Sequence, residues 1–217
     1  MKPILFSTPM VQAILAGNKT QTRRVVKFPA DYNVHRYDGP DENGKHLFAW
    51  GMIVPGMCLD GEFEIKEPRS VGDVLWVRET WRYISFKYVD GIWSAHIQYK
   101  AEDTVGNRIV CGKGEDSPIG WQPSIHMSRE AARLFLRVTS VRAERVQDIS
   151  TSDCEEEGIA SDIDRFNGLM TPHHDWIVGE YAKLWDNLNA KRGHGWDANP
   201  WVWVISFEKT EKPGVEG

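Results

Sequence analysis

Apolar residues recur along the chain at two spacings, and the changes of spacing mark its elements. Residues 3–6 read as a short strand. Over residues 10–16, Met10, Ala13 and Ile14 share one helical face, and Gly17 stands where a helix ends on a left-handed C-cap. Residues 20–26 read as extended, with Thr and Val interleaved with charge. The turn at Val71-Gly72-Asp73 leads into a strand over 74–82. Two more runs, 86–89 and 92–100, flank Asp90-Gly91, a pair suited to a two-residue hairpin turn. Residues 134–146 are β-branched and alternate as a long strand. A short acidic helix follows over 152–158, with Thr151 or Ser152 as its cap and an acidic first turn that suits the helix dipole. The strongest helical pattern spans 176–190, with Ile177, Tyr181, Leu184, Trp185 and Leu188 on one side. Residues 201–207 close the chain as a strand.

Two stretches break this pattern. Residues 27–70 are rich in Gly, Pro, Asp and His, with short apolar pieces such as 47–52, and read as an insertion with a hairpin near 58–66. Residues 102–120 are a second polar, glycine-rich excursion. Loops of such length are uncommon in a compact domain unless they are functional. Strands separated by long irregular segments, with few helices, predict an α+β fold built on a mixed β barrel rather than a doubly wound sheet. The expected organisation is one domain over 1–208 carrying both insertions, with 209–217 as a flexible tail.

Composition narrows the function classes. The net charge of −5 over 217 residues argues against non-specific coating of duplex DNA, which needs many phosphate-neutralising cations. A local basic pocket for a nucleoside or a short RNA is compatible with it. Ten tryptophans are many for this length and serve either as core or as stacking planes. Cys58, Cys111 and Cys154 are far apart and odd in number, so no disulfide framework or zinc knuckle is expected, and a reducing cytoplasm is the simplest compartment. No run is long enough to span a membrane, and the first residues do not read as a signal peptide. No metal or cofactor is called for.

Candidate chemistry lies in five segments. In Gly17-Asn18-Lys19-Thr20-Gln21-Thr22-Arg23-Arg24 a helix gives way to a strand, so Thr20, Thr22 and Arg24 point one way and Gln21 and Arg23 the other. Lys19, at the turn, reaches over either face. Spacing alone favours a solvated basic edge over a pocket, and Gly-x-Lys-Thr here lacks the upstream glycine of a phosphate loop. In Trp76-Val77-Arg78-Glu79-Thr80-Trp81 one face must meet the core, so either Arg78 or Glu79 turns inward and needs a partner. An Arg–Glu pair and a ligand contact explain this equally. The segment from Trp121 to Arg129 combines an aromatic plane with Ser124, His126 and Arg129, a mixture suited to holding a base; an ordered loop with His126 bonded to backbone fits as well. In Asp153-Cys154-Glu155-Glu156-Glu157-Gly158 the carboxylates read as a solvated helix face, except Glu157 beside the terminating glycine. The tryptophans of Asn199-Pro200-Trp201-Val202-Trp203 read as core.

Taken in order, ILAGNKTQTRRV, GDVLWVRETWR, WQPSIHMSREAARLFLRVTSVRAERVQDIS, EEEGI and NPWVWVISFE resemble ASCH-domain proteins of the PUA-like superfamily, especially the longer forms of bacteriophages and prophages. The resemblance implies a PUA-like pseudo-barrel with short flanking helices, and RNA or modified nucleosides as partners. Some small bacterial members are amidohydrolases that remove the acyl group of N4-acetylcytidine, using a Gly-x-Lys-Thr-x-Thr-x-Arg segment and a later glutamate. Carried onto this chain, the resemblance implies Lys19, Thr22 and Glu157 as catalytic residues and Arg24 as a binding residue. Arg78, Glu79, Trp81, Trp121, Ser124, His126 and Arg129 join Arg24 as candidate substrate contacts. Amide hydrolysis needs a nucleophile, a base and stabilisation of the oxyanion; the roles expected are Thr22 as nucleophile, Lys19 as base, Glu157 to orient Lys19 or relay a proton to the leaving exocyclic amine, and Arg24 to hold the pyrimidine carbonyl or a phosphate. Arg23 departs from the small enzymes, which carry an apolar residue there, and this chain is about twice their size. A module that binds RNA or a modified nucleotide without chemistry is the alternative, and a ribonuclease a further one.

Overall fold

The structure, a computed structural model, describes residues 1–28, 33–41, 45–54, 57–111, 120–159 and 174–213. In chain order its regular elements are β1 (Lys2–Leu5), α1 (Thr8–Ala16), β2 (Gln21–Val25), β3 (Asn33–Pro40), β4 (His46–Val54), β5 (Met57–Ile65), β6 (Val74–Arg78), β7 (Trp81–Val89), β8 (Ile92–Tyr99), β9 (Thr104–Val110), β10 (Phe135–Arg145), α2 (Thr151–Glu156), α3 (His174–Asn189) and β11 (Trp201–Thr210). The class is a sheet-rich α+β fold with few helices, as the sequence pattern predicts. No helix among the described residues is long and apolar enough to cross a membrane.

The chain divides into two compact units. The first comprises Met1–Thr20, Gly72–Val138 and Phe207–Gly217; the second comprises Gln21–Val71 and Thr139–Ser206.

In the first unit β1 pairs parallel with β6, and β10 pairs antiparallel with β6, so this sheet is mixed. Val11 and Ile14 of α1 are buried, as are Leu75, Val77 and Leu136. Gly17 ends α1 at φ 84°, a left-handed conformation that costs a glycine nothing. The strand expected over 74–82 is two strands, β6 and β7, interrupted at Glu79-Thr80. β7, β8 and β9 form an antiparallel meander. Asp90 and Gly91 both have positive φ at its first turn, 51° and 79°, as a two-residue hairpin requires. β9 takes up much of the excursion expected at 102–120, while residues 112–119 lie outside the described residues.

In the second unit β2 pairs antiparallel with β11, with Thr22 opposite Ile205 and Arg24 opposite Trp203. The stretch expected as an irregular insertion at 27–70 is an antiparallel meander of β3, β4 and β5, and the expected hairpin at 58–66 is a single strand. Register shifts between Val34 and Arg36 and between Tyr37 and Gly39 break the alternation that would have revealed β3. Phe48 is fully buried, edge-on to Trp201 and Trp203. A Cβ on Gly61 would meet the Trp50 indole at 3.0 Å, so glycine is what lets β5 pass that ring. The cap of α2 is Ser150, not Thr151 or Ser152; its hydroxyl accepts from the Asp153 N–H while Asp153 reaches back to the Ser150 N–H. Ile177, Tyr181 and Trp185 of α3 pack with Val146, Ile149, Cys154, Val202 and Val204. Leu188, expected on the same face, is 43% exposed, because it lies one turn beyond the last α3 residue of that cluster.

Candidate functional site

β2 buries Gln21, Thr22 and Arg23 in succession, so both of its faces are covered. Gln21 and Arg23 share a face, as alternation requires, and Arg23 Nη1 donates to Gln21 Oε1 at 2.7 Å. The Arg23 side chain has no exposed surface. Its Nε and Nη2 donate to Glu144 Oε1 at 3.1 and 2.6 Å. Nη2 also lies 3.3 Å from Asp153 Oδ2, and Nη1 donates to Glu157 Oε1 at 3.3 Å. The Tyr181 ring stands 5.8 Å from the guanidinium carbon. Gln21 Nε2 in turn donates to Glu156 at 2.9 Å.

Two elements bring these carboxylates in. Arg142 and Glu144 occupy alternate positions on β10, and Arg142 donates to Glu144 and Asp153 at 3.1 and 3.0 Å from the solvent side. Asp153 and Glu157 come from the first turn and the C-cap of α2, where the Glu157 N–H donates to the Asp153 carbonyl at 2.9 Å. Gly158 then turns away at φ 88°.

The electrostatics follow from the crowding of charge. Burial opposes the Arg23 charge, but Glu157, Tyr181 and Glu144 outweigh it and the pKa is raised. Arg24 on the same strand is lowered, chiefly by burial, with Arg69 and Arg192 adding to the effect and Glu157 and Tyr181 opposing it. Burial works to raise Asp153, yet the Ser150 hydroxyl, Arg23 and Arg142 bring it down to about 2. Burial pushes the Cys154 thiol up to about 12 and the Tyr181 hydroxyl well above its ordinary range.

The structure thus gathers Glu157 with Arg23, couples Arg24 electrostatically to Glu157, and buries Thr22 on the same strand. Lys19 belongs to the first unit, where it is 2% exposed and its ammonium lies 5.8 Å from the centre of the Phe6 ring. It is turned inward, not poised over a strand edge.

The remaining candidates gather within the first unit. Of Arg78 and Glu79, it is Glu79 that turns inward, at 1% exposure. Its partner is Arg133, which donates to both carboxylate oxygens at 2.9 and 3.1 Å. Arg133 also donates to Glu102 and Thr104 and lies 4.2 Å from the Tyr99 ring centre. Arg78 is half-buried, 4.7 Å from the Trp76 ring centre, and donates to the Ile125 carbonyl at 3.2 Å. Trp81 is buried and bridges to Gln122. The Trp121 ring is covered by Arg82 at 4.5 Å. Ser124 opens a 3₁₀ turn that ends at His126, and His126 and Arg129 are exposed. Met127 is buried, with its sulfur 3.3 Å from the Glu79 amide. The segment 121–129 therefore packs on the Arg78–Trp81 group.

Sequence reasoning missed Glu144, Asp153, Arg142 and Tyr181 as a cluster around Arg23, and Arg133 as the partner of Glu79. The one available signal was the excess of carboxylates in the α2 segment, which needs a cation from elsewhere. It also missed buried His46, placed between Tyr37 Oη at 2.5 Å and Glu67 Oε2 at 2.9 Å. No group of three or more His, Cys, Asp or Glu that could hold a metal ion occurs among the described residues.

Fold and site define a sheet-rich α+β protein with a buried arginine–carboxylate cluster. No protein-family model matches the chain, and no curated protein or solved structure does.

Proposed function

We propose that the chain is a PUA-like hydrolase that removes the acyl group from N4-acylated cytosine nucleosides or a related modified base. The supporting observation is the identity of its buried polar residues. Among the described residues these are Lys19, Gln21, Thr22, Arg23, His46, Glu79 and Glu157. Lysine and glutamate are rarely interior residues, because burying their charge is costly. That Lys19, Thr22 and Glu157 all fall in this small set supports their reading as catalytic residues.

In this reading the Thr22 hydroxyl attacks the acyl carbonyl and Lys19, as a neutral amine, takes the hydroxyl proton. The C–N4 bond breaks, and the proton passes to the departing exocyclic amine directly or through Glu157. Water then cleaves the threonine ester to release the carboxylic acid. Arg24 holds the pyrimidine carbonyl or a phosphate.

The hydrogen bond of Glu157 to Arg23 favours a second reading, binding of a modified nucleotide or RNA without chemistry, because it ties up one carboxylate oxygen. A screen of the purified protein against acylated nucleosides, followed by ultraviolet absorbance, separates the two. The hydrolase reading expects release of cytidine from N4-acetylcytidine, abolished by Lys19→Ala in a chain that stays folded. Absence of turnover on every acylated nucleoside, together with salt-sensitive RNA binding, supports the second reading.

A further inference from the structure

Arg23 is a heavily engaged side chain of the second unit. One guanidinium meets carboxylates from two elements, β10 and α2, and all three of its nitrogens have acceptors. Its backbone is held by the β2–β11 ladder, where Arg23 stands opposite Val204. The element it grips is much less secure by itself. α2 has six residues, and a helix that short has little stability of its own. Arg23 touches α2 at both ends, at Asp153 in the first turn and at Glu157 on the C-cap. Glu144 makes the shortest of these contacts and aims the fork from the opposite side. A guanidinium can make these divergent contacts because its donors lie in a rigid plane; an ammonium on a flexible stem does not keep that geometry.

We infer that Arg23 is a positioning residue, clamped by Glu144, that fixes the Glu157 carboxylate by tying both ends of α2 to β2. The inference rests on the hydrolase reading, since it gives Glu157 a position to keep. Arg23 itself touches no reacting atom. Its effect is on where the Glu157 carboxylate stands.

The test uses the full chain and N4-acetylcytidine, with kcat and KM measured across the acidic and neutral range. Arg23→Lys keeps the charge and loses the fork. It is expected to lower kcat roughly 10- to 100-fold, the cost of misplacing a catalytic group by about an ångström, with KM little changed. Arg23→Met, where it folds, loses the charge as well as the fork and is expected to lower kcat at least as far, again with KM little changed. Glu144→Gln preserves shape but weakens the grip that aims the fork, so it is expected to lower kcat to a smaller extent with KM little changed. Arg36→Gln is the control: it loses an exposed pair with Asp38 and Glu62 in the same unit and is expected to leave kcat in place. A folded Arg23→Lys or Glu144→Gln protein with the wild-type kcat overturns the inference alone. A wild-type protein without turnover on any acylated nucleoside overturns the hydrolase reading, and the positioning role falls with it.

Discussion

Each unit buries an ionic cluster around one charged side chain, Arg23 or Glu79, and the two are built in opposite senses. In the second unit the cation is the buried partner: the Arg23 side chain has no exposed surface, while Glu144 and Asp153 are each 16% exposed. In the first unit the carboxylate is the buried partner: Glu79 is 1% exposed, while Arg133 is 21% exposed and reaches outward to Glu102. The difference sets what happens when one partner is lost. Arg133 can turn to Glu102, Thr104 and water. The carboxylates around Arg23 include Glu157, which is itself buried, so less water reaches that side of the cluster. An ion pair open on its cationic side is a local brace, whereas a cation enclosed by carboxylates from separate elements makes those elements depend on one side chain.

The largest effect that can break this comparison is on Arg23 itself. Arg23→Met leaves the surrounding carboxylates without their guanidinium and is expected to cost about 3–5 kcal/mol in urea unfolding at neutral pH. A loss no greater than that of an exposed ion pair would show that the cluster is rehydrated on truncation. The next effect is pH dependence. Asp153 is held down to about 2 from an ordinary 3.8, so its contribution is complete above the ordinary value and is lost as pH falls through about 2. The shift corresponds to about 2 kcal/mol. The stability gap between wild type and Asp153→Asn is therefore expected to be constant near neutrality and to close over that acidic window. A gap that stays open there would remove the Arg23 cluster as the cause. The smallest effect belongs to the first unit. Glu79→Gln keeps the shape, leaves Arg133 with Glu102 and solvent, and is expected to cost about 1–2 kcal/mol in the same assay. A cost equal to that of Arg23→Met would erase the distinction between the clusters.

How far the sequence reveals these features depends on how local their causes are. Gly17, the Asp90-Gly91 turn and the Ile177–Tyr181–Trp185 stripe are each set by neighbours within a few positions, and each is where the pattern places it. The β3–β4–β5 meander escapes because its bulges break alternation and Phe48 is covered by Trp201 and Trp203, far along the chain. The inward turn of Glu79 follows from strand geometry, but its partner is 54 positions away. Arg23 is the extreme case. Its partners Glu144 and Glu157 lie 121 and 134 positions on, and neither propensity nor periodicity carries information over that span. Thr22 and Glu157 enter as catalytic candidates through the resemblance to ASCH-domain proteins, and their burial is what the structure adds.

Thr22→Val tests the central claim most directly, because it keeps the β-branched shape on β2 and removes only the hydroxyl proposed as nucleophile. The measurement is single-turnover hydrolysis of N4-acetylcytidine by the wild-type and variant proteins, beside binding of the same nucleoside by calorimetry. The account predicts that the variant binds with nearly wild-type affinity and releases no cytidine. Cytidine released by Thr22→Val at the wild-type rate would contradict it.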